Sequence, residues 1–162
     1  MTSVTDTVTI AAPLEQVYAY CWNAEIWPNI TSHVRSVEMV VATATEQYFC
    51  MVVESEGKSY SVESKRTTKP NEWIRYAQEK PPVFLAEHSG EWRFQCVDQK
   101  THVELIHRFV AKENAREVLS LAADVNVDTF IGDRLKANGV RTLCAIRNLL
   151  EAEQHQPKRG DA

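Results

Sequence analysis

The sequence predicts an α+β fold in which a curved antiparallel sheet of about seven strands wraps around one long C-terminal helix. An alternating Val/Thr-rich segment opens the chain at residues 3–10, and six strand-like segments follow within residues 35–111. Apolar residues then recur at helical spacing across residues 128–154. The strands are joined by links too short for parallel pairing, and only the last helix is long enough to cover their apolar face. We expect such a sheet and helix to enclose a cavity.

Two short helices are predicted between the first strand and the others. In APLEQVYAYCWN at residues 12–23, Pro13 suits a first helical turn. The apolar residues of this segment recur at helical spacing, and they are Leu14, Val17, Tyr18 and Cys21. AEIWPNITSH at residues 24–33 predicts a second short helix or turn that is interrupted at Pro28.

The six later strands are predicted from alternating residues that are bounded by turn sequences. Their ranges are 35–42, 46–54, 58–67, 72–79, 88–97 and 101–111. The turns between them read ATATE, SEGK, TKPNE, KPP and DQKT. After residue 112 the pattern becomes helical, unevenly in ENAREVLSLAADVN and then clearly from Asp128, the candidate N-cap of the last helix.

The composition is typical of a single globular domain. The chain has 162 residues, of which 44% are hydrophobic and 25% are charged. We expect residues 1–156 to form one domain and residues 157–162 to form a disordered tail. A formal net charge of −4 argues against nucleic-acid binding, since no basic surface is predicted.

The cysteines and the N-terminal residues indicate the cellular compartment that we expect for the protein. The four cysteines are far apart and form no CxxC, which argues against a zinc or redox motif. The first residues lack the pattern of a signal peptide, and no stretch is long and apolar enough to span a membrane. We therefore expect a cytoplasmic protein with reduced thiols and with neither a metal nor a cofactor.

One charged side chain is predicted on the inner face of the sheet. In SYSVESKRT at residues 59–67, alternation forms one face from Tyr60, Val62, Ser64 and Arg66, and the opposite face is wholly polar. Since an unpartnered guanidinium is costly to bury, Arg66 either lies at a wet rim or lines a hydrated pocket for an oxygen-rich ligand. An arginine at a strand end that extends its charge into bulk solvent is the structural alternative.

A histidine interrupts an otherwise apolar strand face in VELIHRF at residues 103–109. That face consists of Val103, Leu105, His107 and Phe109. One interpretation is a core histidine that is hydrogen-bonded to a backbone carbonyl. The other is a second titratable group that projects into the same cavity as Arg66.

Two neighbouring segments add aromatic and polar groups to the inner face. In GEWRFQC the inward residues are Gly90, Trp92, Phe94 and Cys96, with Trp92 either part of the core or part of an aromatic lining. In IRYAQE the inward residues are Ile74, Tyr76 and Gln78, which places an amide inside.

The last helix has an apolar stripe with a polar notch. The stripe consists of Ile131, Leu135, Asn138, Thr142, Ala145 and Leu149. Asn138 and Thr142 form the notch. Gly139 beside them indicates a helix kink as the structural alternative.

Five stretches together resemble the single-domain aromatase/cyclases of bacterial type II polyketide synthases. They read DTVTIAAPLEQVY (6–18), IWPNI (26–30), VESKR (62–66), HSGEWR (88–93) and VELIHRFV (103–110). The likeness extends from about residue 6 to residue 152, and SGEWR with the downstream histidine resembles the first-ring cyclase subgroup. These proteins belong to the START-like superfamily, also called SRPBCC or Bet v 1-like, whose helix-grip fold agrees with the predicted elements.

The resemblance implies an enzyme of antibiotic polyketide biosynthesis. Its pocket would take a linear poly-β-ketone tethered to an acyl carrier protein and direct intramolecular aldol closure and dehydration of the first aromatic ring. The family's pocket arginine corresponds to Arg66 and its catalytic histidine to His107. The family's helix aspartate falls on Thr142, which cannot ionise, while Asp128 and Asp133 lie off the helix stripe.

Further contacts with the small-molecule polyketide are expected around these two residues. The candidate substrate-binding residues are Trp27, Tyr60, Ser64, Gln78, Trp92, Asn138 and Thr142. A homodimer is also expected for such a sheet, although the sequence does not indicate which residues form the dimer interface.

Two alternative functions remain open. A non-catalytic START-like carrier would bind an apolar lipid, quinone or polyketide, with Arg66 and His107 as anchors or rim residues, and the missing helix aspartate favours it. An interaction protein on the same fold would expose an apolar patch on the outer face of the sheet. The outward residues Ser61, Glu63 and Lys65 are polar, which argues against the second alternative.

Overall fold

One antiparallel sheet forms the frame of the molecule, and the computed structural model describes residues 1–155. The strands are β1 Thr2–Ile10, β2 Val34–Ala42, β3 Glu46–Ser55, β4 Lys58–Lys69, β5 Trp73–Lys80, β6 Leu85–Val97 and β7 Lys100–Ala111. Their order across the sheet is β1-β7-β6-β5-β4-β3-β2. Strands that follow each other from β2 to β7 are therefore neighbours, and β1 pairs with β7.

The helices interrupt and then cover this sheet. Within the described residues they are α1 Leu14–Trp22, α2 Trp27–Ile30, α3 Ala115–Val118 and α4 Val127–Gln154, with a 3₁₀ turn at Ala24–Ile26. Pro28 lies in the first turn of α2, where its missing N–H is tolerated, so it begins the helix rather than interrupting it.

The N-cap predicted at Asp128 is wrong. Asn126 precedes α4, and its side-chain Oδ1 accepts a hydrogen bond of 2.9 Å from the backbone N–H of Thr129. Asp128 lies inside the first turn, and its carboxylate accepts a hydrogen bond of 2.8 Å from the Thr2 hydroxyl of β1. A carboxylate in this position is also favoured by the helix dipole.

The predicted fold class is confirmed, since a curved seven-stranded sheet holds α4 against its inner face in the helix-grip arrangement. At one end, Val103 and Leu105 of β7 pack in a core with Leu143 and Ile146 of α4. At the other end a second core is formed by Phe84, Leu85, Phe109, Ala115, Ile131 and Leu135. Because these two cores are separate, the space between them is left for a cavity.

The buried stripe of α4 matches the prediction only in its first half. The buried residues of the helix are Ile131, Gly132, Leu135, Gly139, Thr142, Leu143, Ile146 and Leu150. Ala145 and Leu149 are half-buried instead of forming the inner face. The stripe shifts because the C-terminal half of α4 packs against α1 as well as against the sheet.

Cys96 was predicted to point inward, and this prediction is wrong because its side chain is exposed. The pairing between β5 and β6 ends at Trp73 and Arg93. Beyond that point β6 pairs only with β7, so Cys96 lies past the covered part of the sheet.

The C-terminal limit of the predicted domain is not tested by the structure. The boundary at residue 156 and the tail at residues 157–162 lie outside the described residues. Among the described residues, no helix combines the length and the apolar character that crossing a membrane requires.

Gly139 allows α4 to approach β7 closely. A Cβ at this position would lie 2.4 Å from Leu105 Cδ2 and 3.1 Å from His107 Nε2. Both distances are shorter than ordinary van der Waals contacts, so the glycine is explained by packing next to His107.

Gly90 has the same role within the sheet. A Cβ there would lie 2.1 Å from the carbonyl oxygen of Ile106 and 2.5 Å from the hydroxyl of Tyr76. Gly90 pairs with Tyr76 on β5 and with His107 on β7, so the missing side chain leaves room for the tyrosine hydroxyl between these strands.

We predict that Gly90→Ala destabilises the protein by on the order of 3 kcal/mol, because the added methyl group collides with backbone that cannot move independently. The control is Gly57→Ala in the β3–β4 turn, where a Cβ meets nothing within 4 Å and only the positive φ of 77° is strained. That variant should lose about 1 kcal/mol. Free energies of unfolding from denaturant titrations compare the two, and equal losses would contradict this explanation of Gly90.

Candidate active site

A cavity of about 150 Å³ lies between the inner face of the sheet and α4. All the side chains predicted to form a site line it, namely Trp27, Tyr60, Ser64, Arg66, Gln78, Trp92, His107, Asn138 and Thr142. Among the described residues, no aspartate or glutamate is part of this lining. The structure therefore brings the predicted residues together around one space, and their roles remain predictions.

The Arg66 guanidinium is buried against the C-terminal end of α1. Its Nη2 donates a hydrogen bond of 2.6 Å to the carbonyl of Cys21. Its Nη1 donates to the carbonyl of Trp22 at 3.3 Å and to Gln47 Oε1 at 3.1 Å. With only 2% of Arg66 exposed, the wet-rim and solvent-directed alternatives are excluded. Carbonyls at the end of a helix carry partial negative charge, which stabilises a cation there.

Aromatic faces surround the same guanidinium. Its central carbon lies 5.1 Å from the ring centre of Trp22, 5.3 Å from that of Trp27 and 5.7 Å from that of Phe49. Burial lowers the pKa of Arg66 from 12.5 to about 10, so the group stays positively charged at neutral pH. Within residues 1–155 no carboxylate forms an ion pair with it. The cavity therefore contains a cation that only dipoles and aromatic rings stabilise.

His107 of β7 also lines the cavity. Its Nδ1 lies 2.6 Å from the hydroxyl oxygen of Tyr76 and 3.2 Å from Nε2 of His88, so the alternative of a bond to a backbone carbonyl is not observed. Its Nε2 is buried and has no hydrogen-bond partner among the described residues. Burial lowers the pKa of His107 from 6.5 to about 4, so the imidazole is neutral at pH 7.

His88 and Tyr76 are site residues that sequence reasoning missed. His88 is buried, its Nδ1 lies 2.7 Å from Gln78 Oε1, and its Nε2 lies 3.2 Å from the Tyr76 hydroxyl. Burial, together with the neighbouring His107, lowers the pKa of His88 from 6.5 to about 3. The signal was available, because His88 alternates onto the same strand face as Gly90 and Trp92.

The polar notch of α4 also contacts a histidine that the sequence did not single out. The Thr142 hydroxyl lies 3.3 Å from the backbone carbonyl of Asn138 and 3.2 Å from Nε2 of His33. Burial, followed by the charge of Arg141, lowers the pKa of His33 from 6.5 to about 4. Since Asp128 and Asp133 are exposed and outside the lining, the notch supplies hydroxyl and amide groups but no acid.

Flat aromatic surfaces form much of the remaining lining. Trp27 and Trp92 stack with their ring centres 5.8 Å apart and their planes 19° apart. Trp27 is held in place by a hydrogen bond of 3.1 Å from its Nε1 to the carbonyl of Tyr20. Tyr60 packs edge-to-face on Phe84 with ring centres 5.2 Å apart. Such rigid planar walls suit a ligand that is itself planar and apolar.

The neutral buried histidines predict a stability loss in mild acid. In the unfolded chain a histidine takes up a proton near pH 6.5, whereas the folded pKa values of His33, His88 and His107 are about 4, 3 and 4. The unfolded state therefore binds protons first as the pH falls. We expect full stability above about pH 6.5 and a loss of up to about 1.4 kcal/mol per pH unit for each histidine below it.

Unfolding free energies measured between about pH 7.5 and about pH 4.5 test this prediction. His88→Leu removes one of the three groups, so its curve should fall less steeply than that of the wild type. Identical slopes for the two proteins would contradict the assignment of His88 as a buried neutral group.

Comparisons with known proteins connect this site to a family. A family model described as "Polyketide cyclase / dehydrase and lipid transport" matches residues 10–133. The granaticin polyketide synthase bifunctional cyclase/dehydratase of Streptomyces violaceoruber is 29% identical over 156 residues, which cover 94% of this chain and 47% of that protein. The chain therefore spans about half the length of this curated relative.

Solved structures show the same fold. The di-domain ARO/CYC BexL from the BE-7585A biosynthetic pathway is 28% identical with a TM-score of 0.84, covering 96% of this chain and 51% of that one. The Zhui aromatase/cyclase from Streptomyces sp. R1128 is 25% identical with a TM-score of 0.83, covering 99% of each chain. By its family-model match, this chain belongs to the family of polyketide cyclases/dehydrases and lipid transport proteins.

Proposed function

We propose that the protein is an aromatase/cyclase that binds a linear poly-β-ketone tethered to an acyl carrier protein and directs aldol closure and dehydration of its first aromatic ring. The observation that carries the proposal is the pairing of Arg66 and His107 in one cavity. Arg66 is a buried cation without a carboxylate, and His107 has a buried ring nitrogen without a partner. The names of the similar cyclase/dehydratase and aromatase/cyclase proteins support the same chemistry.

Arg66 is suited to hold an oxygen on which negative charge develops. Its hydrogen bonds within the described residues leave from Nη1 and Nη2, so the guanidinium keeps further N–H groups for a ligand. Those groups are fixed in position before the substrate arrives, because α1 and Gln47 already orient the side chain. A preorganised donor in a water-poor site stabilises an enolate or alkoxide without reorganising at the moment of reaction.

His107 is suited to move protons in both steps. Its Nε2 takes a proton from a carbon between two carbonyls, and the resulting enolate forms the new carbon–carbon bond with a distant carbonyl. The alkoxide then regains a proton, and loss of one water molecule gives the double bond of the ring. Carbons between two carbonyls are already acidic, so a weak neutral base is sufficient.

The cavity supplies the selectivity of ring closure. A cavity of about 150 Å³ is the size that accommodates one benzene ring in a protein interior, and this cavity has that volume. We infer that the segment undergoing closure occupies it against the stacked pair Trp27 and Trp92 and that the rest of the chain extends outward to the carrier. Holding one folded conformation is the larger part of the catalytic task. Tyr60, Ser64, Gln78, Asn138 and Thr142 are proposed to fix that conformation.

A carrier of an apolar ligand is the second candidate function. It is favoured by one observation: three protein oxygens accept hydrogen bonds from the Arg66 guanidinium, so its burial in the protein does not require a ligand. The family description also includes lipid transport. In that case the cavity binds a lipid, quinone or finished polyketide and alters no bond.

We predict that Arg66→Gln and His107→Ala each reduce the ring-selective product by roughly 100-fold or more, because each removes one charge-stabilising or proton-transferring group. The assay incubates the purified protein with a poly-β-ketone on its carrier protein and separates the products by chromatography. Wild-type protein should convert a mixture of spontaneous ring closures into one main product.

Two control variants keep this test specific. The first control is Lys65→Gln, because Lys65 lies beside Arg66 in β4 but is exposed. The second is His102→Ala, because His102 lies in β7 on the face opposite His107. Both should retain wild-type product, and circular dichroism should show all four variants folded. If wild-type protein binds the polyketide but leaves the product mixture unchanged, the carrier function is correct and the cyclase proposal is wrong.

A further inference from the structure

Three polar atoms meet in a triangle behind the catalytic candidate His107. The Tyr76 hydroxyl lies 2.6 Å from His107 Nδ1 and 3.2 Å from His88 Nε2, and these two nitrogens lie 3.2 Å apart. A fourth atom, Gln78 Oε1, lies 2.7 Å from the other nitrogen of His88. Each ring nitrogen of a neutral histidine either donates or accepts, the amide oxygen only accepts, and the tyrosine hydroxyl can do both, so the contacts constrain where the hydrogens are.

The Gln78 contact fixes the first hydrogen. In the structure the Gln78 amide turns Oε1 toward the ring, and an amide oxygen can only accept, so in this orientation Nδ1 of His88 carries the hydrogen of that bond. Since His88 is neutral, its Nε2 then has no hydrogen and is an acceptor. His88 therefore presents a lone pair to the triangle.

The other two hydrogens follow from pairing every atom of the triangle. If the Tyr76 hydroxyl donates to His88 Nε2, its oxygen accepts from a hydrogen on His107 Nδ1, and all three atoms are satisfied. If His107 carried its hydrogen on Nε2 instead, two nitrogen lone pairs would compete for the single tyrosine hydrogen. An unmatched buried acceptor costs about 1–3 kcal/mol. The first arrangement is therefore the stable one.

We propose that His88 and Tyr76 are positioning residues that hold His107 as the tautomer with hydrogen on Nδ1, so that its Nε2 carries a lone pair where the ring packs beside Gly139 of the cavity lining. His107 is then a ready proton acceptor rather than a donor. The one buried side-chain polar atom without a partner among the described residues is this Nε2. In the proposed tautomer it is the atom that receives the substrate proton.

The packing holds the triangle in this geometry. The rings of His88 and His107 stack with centres 5.4 Å apart and planes 25° apart. Tyr76 meets both rings edge-on, at 5.3 Å from His88 and 6.1 Å from His107. Gly90 leaves the space into which the tyrosine hydroxyl fits, and a Cβ there would lie 2.5 Å from that oxygen.

The role of this tautomer as a base rests on the proposed cyclase function, whereas the presence of the tautomer does not depend on that function. It can therefore be measured on the protein alone, without substrate or carrier. Protein containing isotope-labelled histidine gives nitrogen signals that distinguish a protonated from an unprotonated ring nitrogen. The chain has 5 histidines, and the signals of His107 are identified as those lost in His107→Ala.

We expect wild-type His107 at neutral pH to show a protonated Nδ1 and an unprotonated Nε2. Two variants of the triangle should then give opposite results. In Tyr76→Phe, His107 Nδ1–H can donate directly to His88 Nε2 at 3.2 Å, so the tautomer is kept. In His88→Leu, the phenol hydrogen has only His107 Nδ1 to bind, so the hydrogen of His107 moves to Nε2.

A merely structural role for His88 and Tyr76 would not produce this contrast, because both substitutions remove one buried polar group from the same triangle. The proposal is overturned if wild-type His107 carries its hydrogen on Nε2, or if His88→Leu leaves the tautomer unchanged. If wild-type His107 shows the expected tautomer but the protein fails the cyclisation assay, the proposed cyclase function is overturned and the tautomer proposal is not.

Discussion

The arrangement of the site depends on keeping one guanidinium charged inside the protein. A cation moved from water into an apolar interior without compensation would lose several kcal/mol or more. Here the C-terminal carbonyls of α1, the Gln47 amide and three aromatic faces compensate Arg66. This requirement fixes the end of α1 over β3 and β4.

The same requirement shapes the electrostatics of the cavity. A carboxylate beside Arg66 would cancel its field, but none of the described lining residues is acidic. The three histidines of the lining have depressed pKa values and are neutral, so they add no second positive charge. The lining also contains Arg134, but its guanidinium pairs with Glu56. Arg66 is therefore the lining cation that has no carboxylate partner among the described residues, and it favours negative charge at its own position in the cavity. Under the proposed function, this position stabilises one enolate among the many that a poly-β-ketone can form.

Alternation along strands predicted much of this site because it depends only on local geometry. It placed Tyr60, Ser64 and Arg66 on one face of β4 and His107 on the inner face of β7, and these side chains line the cavity. The family resemblance supplied the roles that are proposed for Arg66 and His107. The same alternation contains His88 and Tyr76, but nothing local distinguishes a histidine within a hydrogen-bonded triangle from one in a core. That distinction required the pairing of β5 with β6 and of β6 with β7.

Other features could not be predicted because they arise from contacts distant in sequence. The acceptors of Arg66 include backbone carbonyls of residues 21 and 22, which no side-chain pattern marks. The second half of the α4 stripe shifts because α1 packs on it. Cys96 is exposed because β5 begins only at Trp73, which pairs with Arg93, and leaves the later part of β6 without this neighbour. In each case a contact with a segment distant in the sequence, rather than the local residue pattern, determines which side chain is buried.

The family resemblance aligns Thr142 with the family's helix aspartate, and under the proposed function this alignment has a chemical consequence. An acidic partner would orient a catalytic histidine and also stabilise it once protonated. In this chain Thr142 contacts His33 and the Asn138 carbonyl, while His107 is oriented by the neutral groups of Tyr76 and His88. Neutral partners fix the ring but stabilise an imidazolium weakly, so a proton taken by His107 must pass on quickly. Under the proposed function this weak stabilisation is sufficient, because the substrate carbon is already acidic and the alkoxide formed by ring closure lies within the same reacting ring and takes up the proton.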